Sequence, residues 1–170
     1  MMDYIIIKSE RKTVSLSIND ELNVVVRAPH SVGKNELDSF VISNEKWITK
    51  AIERKKTQLE KYKLSDAEIN NLVKQAKKII PERVGYYSKI MKLTPEGIKI
   101  TKAKKRFGSC NGKNSLCFSC YLMLYPQKAI DYVVVHELAH IKHHNHSSDF
   151  YELVKSYMPD YKEREKLLKS

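Results

Sequence analysis

The pentapeptide His136-Glu137-Leu138-Ala139-His140, followed six residues later by His146, constrains this chain more than any other stretch. Residues four apart on an α-helix share a face about one turn apart, so His136 and His140 can converge on one metal ion. Glu137 sits one residue along, close to that point but angled away. That is the place for a carboxylate that takes a proton from water instead of ligating. The pattern predicts a hydrolytic zinc site with His136 and His140 as ligands and Glu137 as general base.

The flanking residues support a helix. Ala129, Ile130, Tyr132, Val133, Val134 and Val135 form an apolar run that Leu138, Ala139 and Ile141 continue, which predicts a helix buried on most of its surface. Pro126 is placed to open it, and Asp131 lies early enough to favour its positive end. Two imidazoles and a carboxylate on such a helix are costly unless partnered, and a metal supplies the partner. The alternative is a helix whose histidines are satisfied by ordinary hydrogen bonds.

The third ligand is less direct. On a straight helix His146 would lie about 9 Å beyond His140, too far for bonds of about 2 Å to one ion. The helix must therefore end between them, and Asn145 is the residue best suited to a left-handed turn there. His144 is four beyond His140, but His136, His140 and His144 together span about 12 Å and cannot share an ion. His143 and His144 read as exposed residues at the helix end. Glu152 or Glu163 could replace His146 as third ligand.

The residues from Asp131 to Leu168 resemble the YgjP-like metallopeptidase family, related to SprT-like zinc proteases. The resemblance is carried by Tyr132-Val133-Val134-Val135 leading into the His motif, Asn145-His146-Ser147, Phe150-Tyr151 and Met158-Pro159-Asp160-Tyr161-Lys162-Glu163. Upstream, Arg106-Phe107-Gly108-Ser109-Cys110 resembles the family's Arg-Trp-Gly-Ser-Cys segment, and Arg27-Ala28-Pro29 with Trp47-Ile48 resembles its amino-terminal half. The resemblance implies a zinc-dependent peptidase acting on polypeptide, with His136, His140 and His146 holding one Zn2+ and Glu137 as catalytic base. It implies an α+β fold of zincin-like type, with the active-site helix beneath a small sheet and an amino-terminal β-rich lobe before it. Phe107 replaces the family's Trp, and Ser119 falls where Asn is common.

The remaining pattern divides the chain into a β-rich lobe over 1–62 and a metallopeptidase lobe over 63–170. Tyr4 to Ile7, Val14 to Ile18 and Leu22 to Arg27 read as strands, with Asn19 and Asp20 at a turn. Leu37, Phe40 and Val41, then Trp47, Ile48, Ala51 and Ile52, follow helical spacing into a charged stretch, Glu53 to Lys63, that links the lobes. Ser65 with Glu68 predicts a capping box opening a helix striped by Ile69, Leu72, Val73, Ala76, Ile79 and Ile80, bent at Pro81. Gly97 to Ala103 and Ser115 to Leu122 read as two strands of a hairpin-like element. The second is expected to offer its edge to an extended peptide, with Ser119 facing the cleft and Arg106 and Ser109 lining it. Tyr151, His144 and Arg106 are candidates for stabilising an oxyanion.

Composition limits the partners. A net charge of +11, with Lys99, Lys102, Lys104, Lys105 and Arg106 clustered, allows a nucleic-acid partner, and a basic nucleic-acid-associated protein with a structural or vestigial zinc site is the second reading. No apolar run nears the roughly 18 residues of a membrane span, and Ile5-Ile6-Ile7 is too short for a signal-peptide core, so a cytoplasmic protein is expected. Cys117 and Cys120 form a C-x-x-C pattern, but with three Cys in all, reduced thiols are the expectation.

Overall fold

The computed structural model describes residues 2–169. The chain divides into two compact units, Met1–Lys63 and Leu64–Ser170. The α+β class expected from the sequence is the one observed. Among the described residues no helix is long and apolar enough to cross a membrane.

The first unit holds β1 (Tyr4–Lys8), β2 (Ser15–Ile18), β3 (Val24–Ala28), α1 (Lys34–Ser43) and α2 (Glu45–Lys61). β3 is the central strand, parallel to β1 and antiparallel to β2. Its alternating Val24, Val26 and Ala28 share a core with Leu37, Val41 and Ile48 of the two helices, against which Val14, Leu16 and Ile18 pack. Side chains two apart on a strand face the same way, so this alternation puts one face of the sheet on the helices. The turn before β3 is closed by Asn19, whose Oδ1 accepts the Asn23 amide at 2.8 Å, and Leu22 takes the left-handed conformation (φ 66°). The charged stretch from Glu53 onward forms the carboxy-terminal half of α2.

The second unit begins with α3 (Asp66–Met91). The expected capping box is present: Ser65 Oγ accepts the Glu68 amide, and Glu68 Oε2 accepts the Ser65 amide at 2.8 Å. Leu72, Ala76 and Ile80 of the stripe are buried, with Val84 and Met91 beyond, and the helix continues past Pro81.

β4 (Gly97–Thr101), β5 (Gly108–Cys110) and β6 (Ser115–Ser119) form a three-stranded sheet with β6 in the middle. Here the structure corrects the sequence reading. β4 and β6 are parallel, not a hairpin. The hairpin joins β5 to β6, and β5 lies between the two strands read from the sequence. Asn111 Oδ1 accepts the amides of Lys113 and Ser115, and Asn114 adopts a left-handed conformation (φ 58°) to close it. Three residues are too few for β5 to show a period of two. The strand of 115–122 also stops early, at Ser119, where a 3-10 turn over Cys120–Leu124 begins.

α4 (Gln127–Ala139), α5 (Ser148–Tyr157) and α6 (Tyr161–Lys166) complete the unit. α4 packs against α3, β5, α5 and α6, which accounts for its being apolar on nearly every side. Asp131 does more than favour the helix's positive end. It is buried and accepts a bidentate pair from Arg83 Nε (2.7 Å) and Nη2 (3.0 Å), with Gln127 Nε2 donating at 2.8 Å, so it ties α4 to α3.

Candidate metal centre

The last turns of α4 carry His136, Glu137 and, as its cap, His140. Beyond His140 the chain tightens, as Ile141 N–H donates to Leu138 O and Lys142 N–H to Ala139 O. Asn145 is not left-handed, since among the described non-glycine residues only Leu22, Lys92 and Asn114 have positive φ. Its role is through the side chain: Asn145 Oδ1 accepts the Ser147 amide at 3.3 Å, leading into α5. The chain thus folds back by short-range turns, and His146 returns to the helix.

His136, His140 and His146 each offer a nitrogen within 4.8 Å of the others. Their ring centroids are 4.7–5.0 Å apart. His136 Nε2 and His146 Nε2 face one another at 3.0 Å, a contact that repels unless a proton or a cation lies between them. Two nitrogens bound tetrahedrally at about 2.0–2.1 Å would lie about 3.3 Å apart, close to this spacing. His140 Nδ1 is 3.0 Å from His143 O, and because a carbonyl only accepts, this bond places the proton on Nδ1 and leaves Nε2 free to ligate. The three residues therefore fit a metal ion by donor type and spacing, and His140 by tautomer as well.

Electrostatics favour neutral rings at His136 and His140. Burial, then the neighbouring His140 and His146, pushes His136 down to about 3. Burial also lowers His140, with smaller effects of His143 O, His146 and His144. Ligands must be deprotonated to bind, so both shifts suit a metal centre. Glu137 is only 5% exposed, and burial alone pushes it up to about 8.

Two further residues shape the site, and sequence reasoning gave neither a role there. Phe150 of α5 is fully buried, its ring 4.9, 4.5 and 4.9 Å from those of His136, His140 and His146. It is a floor shared by all three imidazoles. Gly108 of β5 lies against Glu137 so closely that a Cβ there would be 2.5 Å from Glu137 Oε1. The Arg106-Phe107-Gly108-Ser109-Cys110 segment held the signal for Gly108, but its partner could not be read from it.

The other predicted positions disperse. Glu152 and Glu163 are exposed and lie outside the histidine cluster, as does the exposed His144. Ser109 is half-buried on β5, and Arg106 is exposed in the segment before it. Tyr151 is exposed, with its ring 6.1 Å from that of His146. Ser119 is buried instead of facing a cleft. Its hydroxyl donates to Ala103 O at 2.6 Å and accepts the Tyr121 amide, which caps the 3-10 turn. All three cysteines are free thiols, with Cys117 Sγ near Thr101 Oγ1 and Cys120 buried in the turn.

A helix carrying this histidine set beside a buried carboxylate, in an α+β unit, is an arrangement that can hold a metal ion. The family model described as "YgjP-like, metallopeptidase domain" matches residues 12–71 and 56–170, and the chain belongs to that family. Among solved structures, the metallopeptidase zymogen abylysin of Pyrococcus abyssi is similar at 21% identity, over 53% of this chain and 91% of its own, with a TM-score of 0.49. The metallopeptidase zymogen jannalysin of Methanocaldococcus jannaschii is similar at 22% identity, over 54% and 94%, with a TM-score of 0.48. A comparison with curated proteins finds no match.

Proposed function

We propose that this protein is a zinc-dependent peptidase, with one Zn2+ held by His136, His140 and His146 and with Glu137 as general base. The observation that carries this reading is the convergence of three imidazole nitrogens beside a buried carboxylate. A purely structural metal site has no need of that carboxylate. The chemistry an ion supplies here is Lewis acidity, which brings water ionisation to about neutral pH and polarises a carbonyl.

Glu137 takes the proton of the attacking water at a carboxylate oxygen and returns it to the leaving amine nitrogen. Low solvation makes its anion a strong base, and the Gly108 backbone limits where that anion can sit. β5 is an edge strand beside α4, so an extended substrate can add to its outer backbone. β6, the strand assigned that role from the sequence, is paired on both sides. Ser109 lies on the strand that replaces it. Tyr151, near His146, is the best placed of the oxyanion candidates.

Zinc-loaded wild type, Glu137→Gln and chelator-treated protein should be compared on an unfolded protein substrate. Wild type cleaves, Glu137→Gln keeps its zinc and loses about 10²–10⁴-fold in rate, and chelation abolishes activity. Three equally inactive samples that bind DNA with a steep salt dependence would instead favour the basic nucleic-acid reading, for which Lys99, Lys102, Lys104, Lys105 and Arg106 are exposed.

A further inference from the structure

The tyrosines of the second unit form a track that leaves the histidines. Tyr151 lies 6.1 Å from His146 between ring centroids, and Tyr161 stacks on Tyr151 at 6.0 Å with 26° between planes. Tyr132 closes the group, 6.5 Å from Tyr161 and 5.7 Å from His136. The track ends in an open cleft of about 350 Å³, lined by Tyr151, Tyr161, Lys162, Glu165, Lys166 and Lys169.

The charges of this cleft are unbalanced. Lys162, Lys166 and Lys169 follow one another at spacings of four and three, which brings them to one side of α6 and the turn that extends it. Glu165 is taken up by Lys169, whose Nζ donates to its Oε1 at 2.6 Å. Among the described residues, neither Lys162 nor Lys166 has an ion-pair partner. The cleft therefore combines two lysines without an ion-pair partner and two tyrosine rings in one lining, which suits a carboxylate on an apolar stem.

We infer that this cleft is a substrate subsite that selects a carboxylate, either an acidic side chain or the free carboxy terminus of the peptide being cut. The inference rests on the proposed peptidase activity. Extended chain advances about 3.3 Å per residue, so the two ring steps from His146 to Tyr161 correspond to at most about four residues. The carboxylate recognised is thus two to four residues from the scissile bond. Lys162 and Lys166 set specificity and take no part in the chemistry.

The test uses the full zinc-loaded chain and peptides that differ at one position, two to four residues from the cut. The position carries Glu, Gln or Lys, or ends the peptide as a free carboxylate or an amide. Wild type and the Lys162→Glu/Lys166→Glu double variant are compared by kcat/KM and, separately, by fluorescence anisotropy of peptide binding to their Glu137→Gln forms. Wild type should favour Glu over Gln by about three- to five-fold at low salt, with the advantage shrinking as salt rises. The double variant should favour Lys instead. The Glu and free-carboxylate arms identify which source the cleft takes.

An equal Glu-to-Gln ratio in wild type and double variant, in both cleavage and binding, overturns the subsite. If nothing is cleaved while binding still shows a lysine-dependent preference for carboxylate, the peptidase reading fails and the cleft stands as a carboxylate-binding site for peptides.

Discussion

Gly108 and Glu137 are in backbone-to-carboxylate contact: a methyl group on Gly108 would lie 2.5 Å from Oε1, 2.6 Å from Cγ and 2.7 Å from Cδ of Glu137. Gly108 does not have a positive φ, so the need for glycine here is space, not conformation. The helix supplies the carboxylate, and the neighbouring strand fixes its position.

Gly108→Ala should therefore act as a positioning variant. The added carbon must displace a side chain that is buried, and a misplacement of about 1 Å at a reacting group costs about 10²-fold. Expected are a zinc content near that of wild type and a cleavage rate about 10²-fold lower, measured on the same unfolded substrate. Wild-type activity in Gly108→Ala would show that Glu137 has room to move and that β5 does not place it.

Phe150 supports three imidazoles at once, so truncating it should affect both fold and metal. Removal of a fully buried Phe ring to Ala costs about 3–5 kcal/mol. Phe150→Leu keeps most of the volume and should preserve the fold while loosening the rings, with zinc affinity falling about 10-fold in competition with a chelator. Unchanged affinity in a folded Phe150→Leu protein would mean that the rings hold their places without that floor.

Arg83 is remote from the histidines in chain order, but its pair with Asp131 ties the helix that carries them to α3. Arg83→Met leaves the buried Asp131 carboxylate with Gln127 and a distant Arg164 at 4.0 Å. Breaking a buried pair by removing one partner costs about 3–5 kcal/mol, and the partial exposure of Arg83 places this case at the lower end. Urea unfolding of the zinc-free protein should register the loss, and a shift below about 1 kcal/mol would show that the pair is not structural.

Without zinc, two adjacent groups give the protein an unusual stability profile. Glu137 is raised from 4.5 to about 8, so the folded state holds its proton more tightly and stability falls as pH rises from about 4.5 to 8. His136 is lowered from 6.5 to about 3, so stability falls as pH drops from about 6.5 to 3. Between about 4.5 and 6.5 the two slopes oppose each other. Thermal unfolding of chelated protein should show a plateau there, with losses of up to about 1.4 kcal/mol per pH unit on either side. A melting temperature that climbs steadily from pH 5 to 8 would contradict the burial of Glu137.

Local spacing was enough to place His136, Glu137 and His140 on a helix, because a four-residue interval has one meaning once a strongly apolar run dictates helix. The Ser65–Glu68 box and the three amino-terminal strands were legible for the same reason: each is specified by neighbours in sequence. The hairpin of β5 and β6 was not, because three residues carry no period. Asn145 was assigned a backbone conformation where its side chain makes the turn, since both serve to reverse a chain and the sequence does not distinguish them. The Asp131–Arg83 pair joins residues 48 apart, the carboxylate of Glu137 meets Gly108 from another element, and Phe150 gathers three rings from a separate helix. Such contacts depend on which surfaces pack together, a sum of many small burial terms that no short stretch of residues contains. The sequence determined the chemical groups and the helix that presents them; tertiary packing decided what holds each group in place.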